Sequence, residues 1–214
     1  MRQHMSWLRT GLLVFSLGTS GFGAQPAVPA DLPQAFAGLV ELFDGRTWSP
    51  VEWAQGSVQT MEVFGYGTAG LPYMRSRFDV SPLAHETFLS GVYLTVHGKE
   101  PDWRAMRLAL EEQPVKQAWL KQMVGDTKVL NQSMEAGAQW QPAVRLLPST
   151  AGARRFTQLC IQSGDALVRR AGLYWGYWLA DNAYWLAVKQ CAQSDPDPRT
   201  RFFAQYFMRQ GHKM

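Results

Sequence analysis

AGLYWGYWLADNAYWLAVKQ, residues 171–190, is the stretch on which the fold turns. Tyr174, Trp175, Tyr177, Trp178, Tyr184 and Trp185 crowd into it, with Asp181 as its one acid. Gly172, Gly176, Ala180, Ala183 and Ala187 recur every three or four positions, which lines small residues along one stripe of a helix. Such a stripe lets a neighbouring backbone approach closely. The alternative is α+β, with an aromatic hairpin at 173–190 whose strands LYWGYWLA and AYWLAVKQ turn at Asp181 and Asn182. Alanine is frequent and Val188 is the only β-branched residue here, so the helical reading is preferred. A membrane span would place Asp181 and Asn182 near the bilayer centre, at a cost of about 3 kcal/mol for the charge alone.

The two cysteines, Cys160 and Cys191, bracket this stretch. In an oxidising compartment such a pair is expected to form a disulfide. One unbroken helix would hold them roughly 46 Å apart, against the ~6 Å between Cα atoms that a bond requires. The pairing therefore demands a chain reversal, at Gly172 or at Asp181-Asn182.

The compartment is read from the other end. Arg2 and Arg9 precede the short apolar run TGLLVFSLG and the small residues of TSGFGA, the grammar of a cleaved signal peptide over 1–24. The run is about half the ~20 residues of a spanning helix. A periplasmic or secreted protein is expected, with a flexible leader at 25–30. Loss of Arg2 and Arg9 leaves 19 basic against 17 acidic residues, so +4 becomes +2. That surplus is too small to imply nucleic acid.

The rest of the chain reads as one domain, 31–196, mainly α with a small β-rich or irregular insertion. Asp31 can cap a helix that buries Leu32, Phe36, Leu39, Val40 and Phe43. Between Thr47 and Phe78 the runs VEWAQ, VQTMEVF and PYMRSRF alternate between glycines and suggest short strands. Ser81 and Pro82 open another helix that Gly98 closes. Asp102 starts a helix through Glu112, and Pro114 restarts it, with Trp103, Met106, Leu110, Trp119 and Met123 inward. Further helices are expected at 128–140 and from Ala151 to about Ala171. Residues 197–214 form a basic amphipathic tail.

Few residues suggest chemistry. Gly65, Gly67 and Gly70 have dinucleotide-loop spacing but no helical pattern follows, so no cofactor is expected. His85, Glu86 and His97 lack the spacing of a zinc helix, so no metal is expected either. Trp175, Trp178, Asp181 and Trp185 form a candidate ligand platform, since aromatic faces suit sugars and Asp181 could transfer a proton. In the tail, Arg199, Arg201, Phe202, Phe203, Tyr206, Phe207 and Arg209 form a candidate interaction surface for a protein partner or a membrane. The sequence therefore points to an exported, cell-envelope or secretion-associated binding protein with a protein partner in the envelope. The alternative is a cell-wall glycan hydrolase or sugar-binding protein.

Overall fold

Leu32, Phe36 and Leu39 recur at helical spacing, and in the computed structural model they are the buried face of α1 (Leu32–Leu42). The structure describes residues 27–42, 50–126, 151–179 and 182–210. After α1 come α2 (Pro50–Gly65), a 3-10 turn (Gly67–Gly70), α3 (Leu71–Val80), α4 (Ala84–His97), α5 (Glu100–Glu112) and α6 (Pro114–Val124). The chain continues with α7 (Ala151–Ile161), α8 (Ala166–Leu179), α9 (Asn182–Ser194) and α10 (Pro198–Gln210). The described residues contain no strand. The mainly α reading therefore holds. The signal peptide, residues 25 and 26 of the leader and the helix expected at 128–140 lie outside the described residues.

The β-rich insertion is corrected, because two helices and a 3-10 turn occupy 50–78. Gly56, Thr60 and Val63 are buried at spacings of four and three, and Leu71, Met74 and Phe78 at three and four. Burying one helical face outweighs the β-branched texture, since β propensity is itself largely a packing effect. Pro72 falls in the first turn of α3, where a proline removes no helical hydrogen bond. The glycines make the turn between the helices. Gly67 has φ of 57°, and Gly70 leaves room for Tyr93, whose hydroxyl donates to Gly67 O at 2.6 Å.

Sequence neighbours pack together: α1 on α2, α3 on α4, α5 on α6, α7 on α8, and α9 on α10. Contacts of α1 with α4, α4 and α5 with α7, and α6 and α10 with α8 unite the pairs around one core. Gln113 is shared by α5 and α6, ending one and starting the other. Asp102 begins α5 from its third position by accepting from Lys99 N at 2.9 Å. The helix expected to run from Ala151 to about Ala171 instead stops at Ile161. Asp165 starts α8, its carboxylate accepting from Val168 N at 2.9 Å.

Both halves of the opening stretch are helical, which excludes the hairpin. Tyr184 Oη donates to Leu173 O at 2.5 Å. In a continuous helix these residues would lie about 16 Å apart, so the chain turns back between Leu179 and Asn182. Gly172 is not the break; it lies inside α8. A Cβ on Gly172 would come 2.8 Å from Ile161 N and 2.9 Å from Cys160 Cβ. On Gly176 it would lie 2.2 Å from the Tyr184 ring and 2.9 Å from Thr157 Cγ2. The two glycines are thus where α7 and α9 press onto α8, whereas Ala183 and Ala187 fall on the next helix, Ala183 exposed, so the five small residues do not line one helix.

These contacts reverse the usual effect of glycine in a helix, where alanine is better by about 1 kcal/mol. Gly176→Ala should lower stability by about 1–3 kcal/mol through overpacking. Gly38→Ala in α1, with nothing within 4 Å of the added atom, should raise it by roughly 0.5–1 kcal/mol. Urea unfolding of the two variants measures both signs.

Candidate functional site

Of the proposed aromatic platform, the side chains of Trp175 and Trp185 are described. Trp175 is half-buried between Phe156, stacked at 5.8 Å between ring centroids, and Trp119 at 6.2 Å. Its buried indole N–H has no hydrogen-bond partner among the described residues. Trp185 packs elsewhere, edge-on to Tyr184 at 5.1 Å and to Tyr177 at 6.4 Å. The side chain of Trp178 and all of Asp181 lie outside the described residues.

Cys160 and Cys191 are free thiols in the structure, both buried, rather than the bonded pair expected. Cys160 lies on α7 and Cys191 on α9, within the same core cluster. Burial pushes both thiols above their ordinary range, which suppresses the nucleophilic thiolate.

The tail also differs from its expected form. It folds as α10 against α8 and α9, with Phe203 and Phe207 fully buried. Tyr206 is half-buried, edge-on to Phe207 at 5.7 Å. Arg201 is turned back onto the chain, donating to Asp195 O at 2.5 Å. Arg199, Phe202 and Arg209 alone of the seven candidates are exposed. A segment that supplies core aromatics is part of the domain and not an appendage to it.

The groups that hold α10 in place were not singled out in the sequence. Arg169 donates through Nε and Nη2 to the two carboxylate oxygens of Asp195, at 2.8 and 2.9 Å, and through Nη1 to Ser163 O and Gly164 O. Arg170 donates to Val124 O and Gly125 O, at 3.1 and 3.0 Å, and lies over the Phe203 ring. Arg169 and Arg170, adjacent near the start of α8, are buried staples between elements. Their signal was an RR pair inside an apolar helical pattern, with an acid in the linker beyond.

The other carboxylates follow the same rule. Glu86 is bound by Arg77 and by Ser81 Oγ, and Asp102 by Arg75. Burial alone would raise both acids, but the guanidinium and hydroxyl donors outweigh it and hold them below the usual carboxylate range. Hydrogen bonds from Arg155 bring the surface acid Glu100 down to about 2. Asp197 is lowered as Thr200 donates to it from Oγ1 and backbone N, against burial.

His97 is the group least provided for. It packs 4.7 Å from Tyr93 and 5.9 Å from Phe64, and its buried Nε2 has no hydrogen-bond partner among the described residues. The side chain of His85 lies outside the described residues, and Glu86 is held by Arg77. No group of three metal-ligating side chains occurs among the described residues. No described helix is long and apolar enough to cross a membrane. No protein-family model, curated protein or solved structure matches this chain.

Two outcomes follow. Arg169→Ala should cost about 3–5 kcal/mol, because Asp195 stays buried without its partner. Arg201→Ala should cost under about 1 kcal/mol, and guanidinium denaturation compares the two. Burial lowers the His97 pKa below 6.5, so the folded state binds fewer protons there than the unfolded chain. Stability should therefore fall as pH drops from 6.5 toward the depressed folded value. His97→Phe should remove that slope while leaving the carboxylate-driven loss at lower pH, as read from urea midpoints across the series.

Proposed function

We propose that this chain is an exported cell-envelope protein that works by binding a protein partner rather than by catalysis. The observation that carries the reading is the commitment of its carboxylates to internal donors. Among the described residues, every acid whose pKa departs from the usual range is pushed down. A glycan hydrolase needs one carboxylic acid held high enough to protonate a leaving group, with a second close by. Glu86, Glu100, Asp102 and Asp195 instead act as counter-ions that fix one element to another. The aromatic residues likewise support packing: Trp175 stacks on Phe156, Trp185 meets Tyr184 edge-on, and both pack against the core. Export rests on Arg2, Arg9 and the apolar run after them, followed by small residues suited to cleavage.

In-cell crosslinking followed by mass spectrometry of the captured partners tests this. Recovery of the chain from the envelope with its N-terminal segment removed, crosslinked to envelope proteins and inert toward a cell-wall suspension, is the expected result. Clearing of such a suspension, abolished by replacing a single acid, would establish the hydrolase alternative instead.

A further inference from the structure

We propose that the outer face of the α9–α10 pair docks on an anionic phospholipid surface. This deepens the envelope-binding reading and rests on it, adding a lipid contact to the protein partner. Leu186, Phe202 and Met208 are large apolar side chains left 73%, 40% and 45% exposed. Lys189, Arg199 and Arg209 are exposed beside them and make no ion pair with the described residues. Successive residues of a helix turn by about 100°, so Arg199, Phe202 and Arg209 share one face of α10, while Met208 is exposed about 100° round the helix from Arg209. Leu186 and Lys189 share the exposed face of α9 in the same way. Gln205 Nε2 donates to Ala192 O at 3.4 Å, which joins the solvent edges of the two helices.

The sign of the face is unbalanced by construction. Asp195 and Asp197 are the only acids between 182 and 210, and both are engaged: Asp195 by Arg169, Asp197 by Thr200. The apolar residues are separated by cations and do not form the contiguous patch of ~800 Å² per partner that a standard protein interface buries. A bilayer surface asks for what is present: a few large apolar side chains inserted shallowly, with cations at headgroup level. Phe203 and Phe207 beneath this face are fully buried, so docking orders no new segment.

The test is partition of the full chain between buffer and vesicles, either of phosphatidylcholine alone or with about a third phosphatidylglycerol, compared with variants that share its N-terminus. Binding should favour the anionic vesicles and weaken as salt is raised. The triple variant Lys189→Gln, Arg199→Gln, Arg209→Gln should lose about a hundredfold in partition, at about fivefold per cation, with an unchanged melting temperature. Leu186→Ser with Phe202→Ser should weaken binding to the same vesicles without altering its salt dependence. Equal binding to both vesicle types, or a triple variant that binds like the original chain, overturns the proposal. Crosslinking to envelope proteins without vesicle binding overturns the lipid assignment and leaves the envelope-binding reading standing. Failure of both assays removes both.

Discussion

Two missing methyl groups hold this structure together. At Gly172 and Gly176, one turn apart on α8, bare backbone lets α7 approach from one side and the Tyr184 ring enter from the other. The ring's hydroxyl then reaches Leu173 O, a carbonyl that only close approach brings within range. That bond fixes the start of α9 against α8, and α9 in turn fixes α10. Dispersion falls steeply with small gaps, so helices separated by two methyl groups would lose much of their contact. The crowding of aromatics at 174–185 makes sense in this frame, because large rings fill the space around a helix whose one flat side is occupied by backbone.

Charge is used inside the molecule as a second fastening system. Arg169 and Arg170 are both buried and point to different elements, one to the α9–α10 linker and one to the end of α6. Lys116 is 2% exposed, and its ammonium donates to Asp79 O at 2.9 Å and Gln113 Oε1 at 2.5 Å. Carbonyls near the end of a helix lack intrahelical donors, and these cations supply them. A buried cation without such acceptors would carry a severe desolvation cost. Each one therefore specifies which helix end it must meet, and restricts the chain to this arrangement of helices.

How much of this could be read in advance depended on where the signal lay. Helix ends written in capping chemistry were legible: Pro114 at the start of α6, Gly98 after α4, and the acid of Asp102 in the first turn of α5. The core face of α1 was legible too, because Leu32, Phe36 and Leu39 follow a period that strands cannot share. The segment 50–78 misled because its glycines and valines resemble strand texture, while the spacing of Leu71, Met74 and Phe78 was helical all along. On α6 Trp119 and Met123 pack against the core as expected, but the fully buried positions are Lys116, Leu120 and Val124, and a lysine was not counted among core residues. In the tail, amphipathicity was visible but not which face met the domain. That depended on Asp195 and Arg169, 26 residues apart, and local patterning does not report such a contact.

The pairing of each helix with its neighbour in sequence bears on how the molecule is made. Chains rich in local contacts have little loop entropy to lose before their contacts form, and they fold quickly. Here each helix pair can close soon after its second member has been synthesised, without waiting for distant sequence. The joining contacts span moderate separations, such as the 55 residues between Glu100 and Arg155. Assembly can therefore proceed from the N-terminal end and finish when α10, the last helix described, brings Phe203 and Phe207 onto α8. A topology that assembles in order of emergence shortens the time its apolar faces are uncovered.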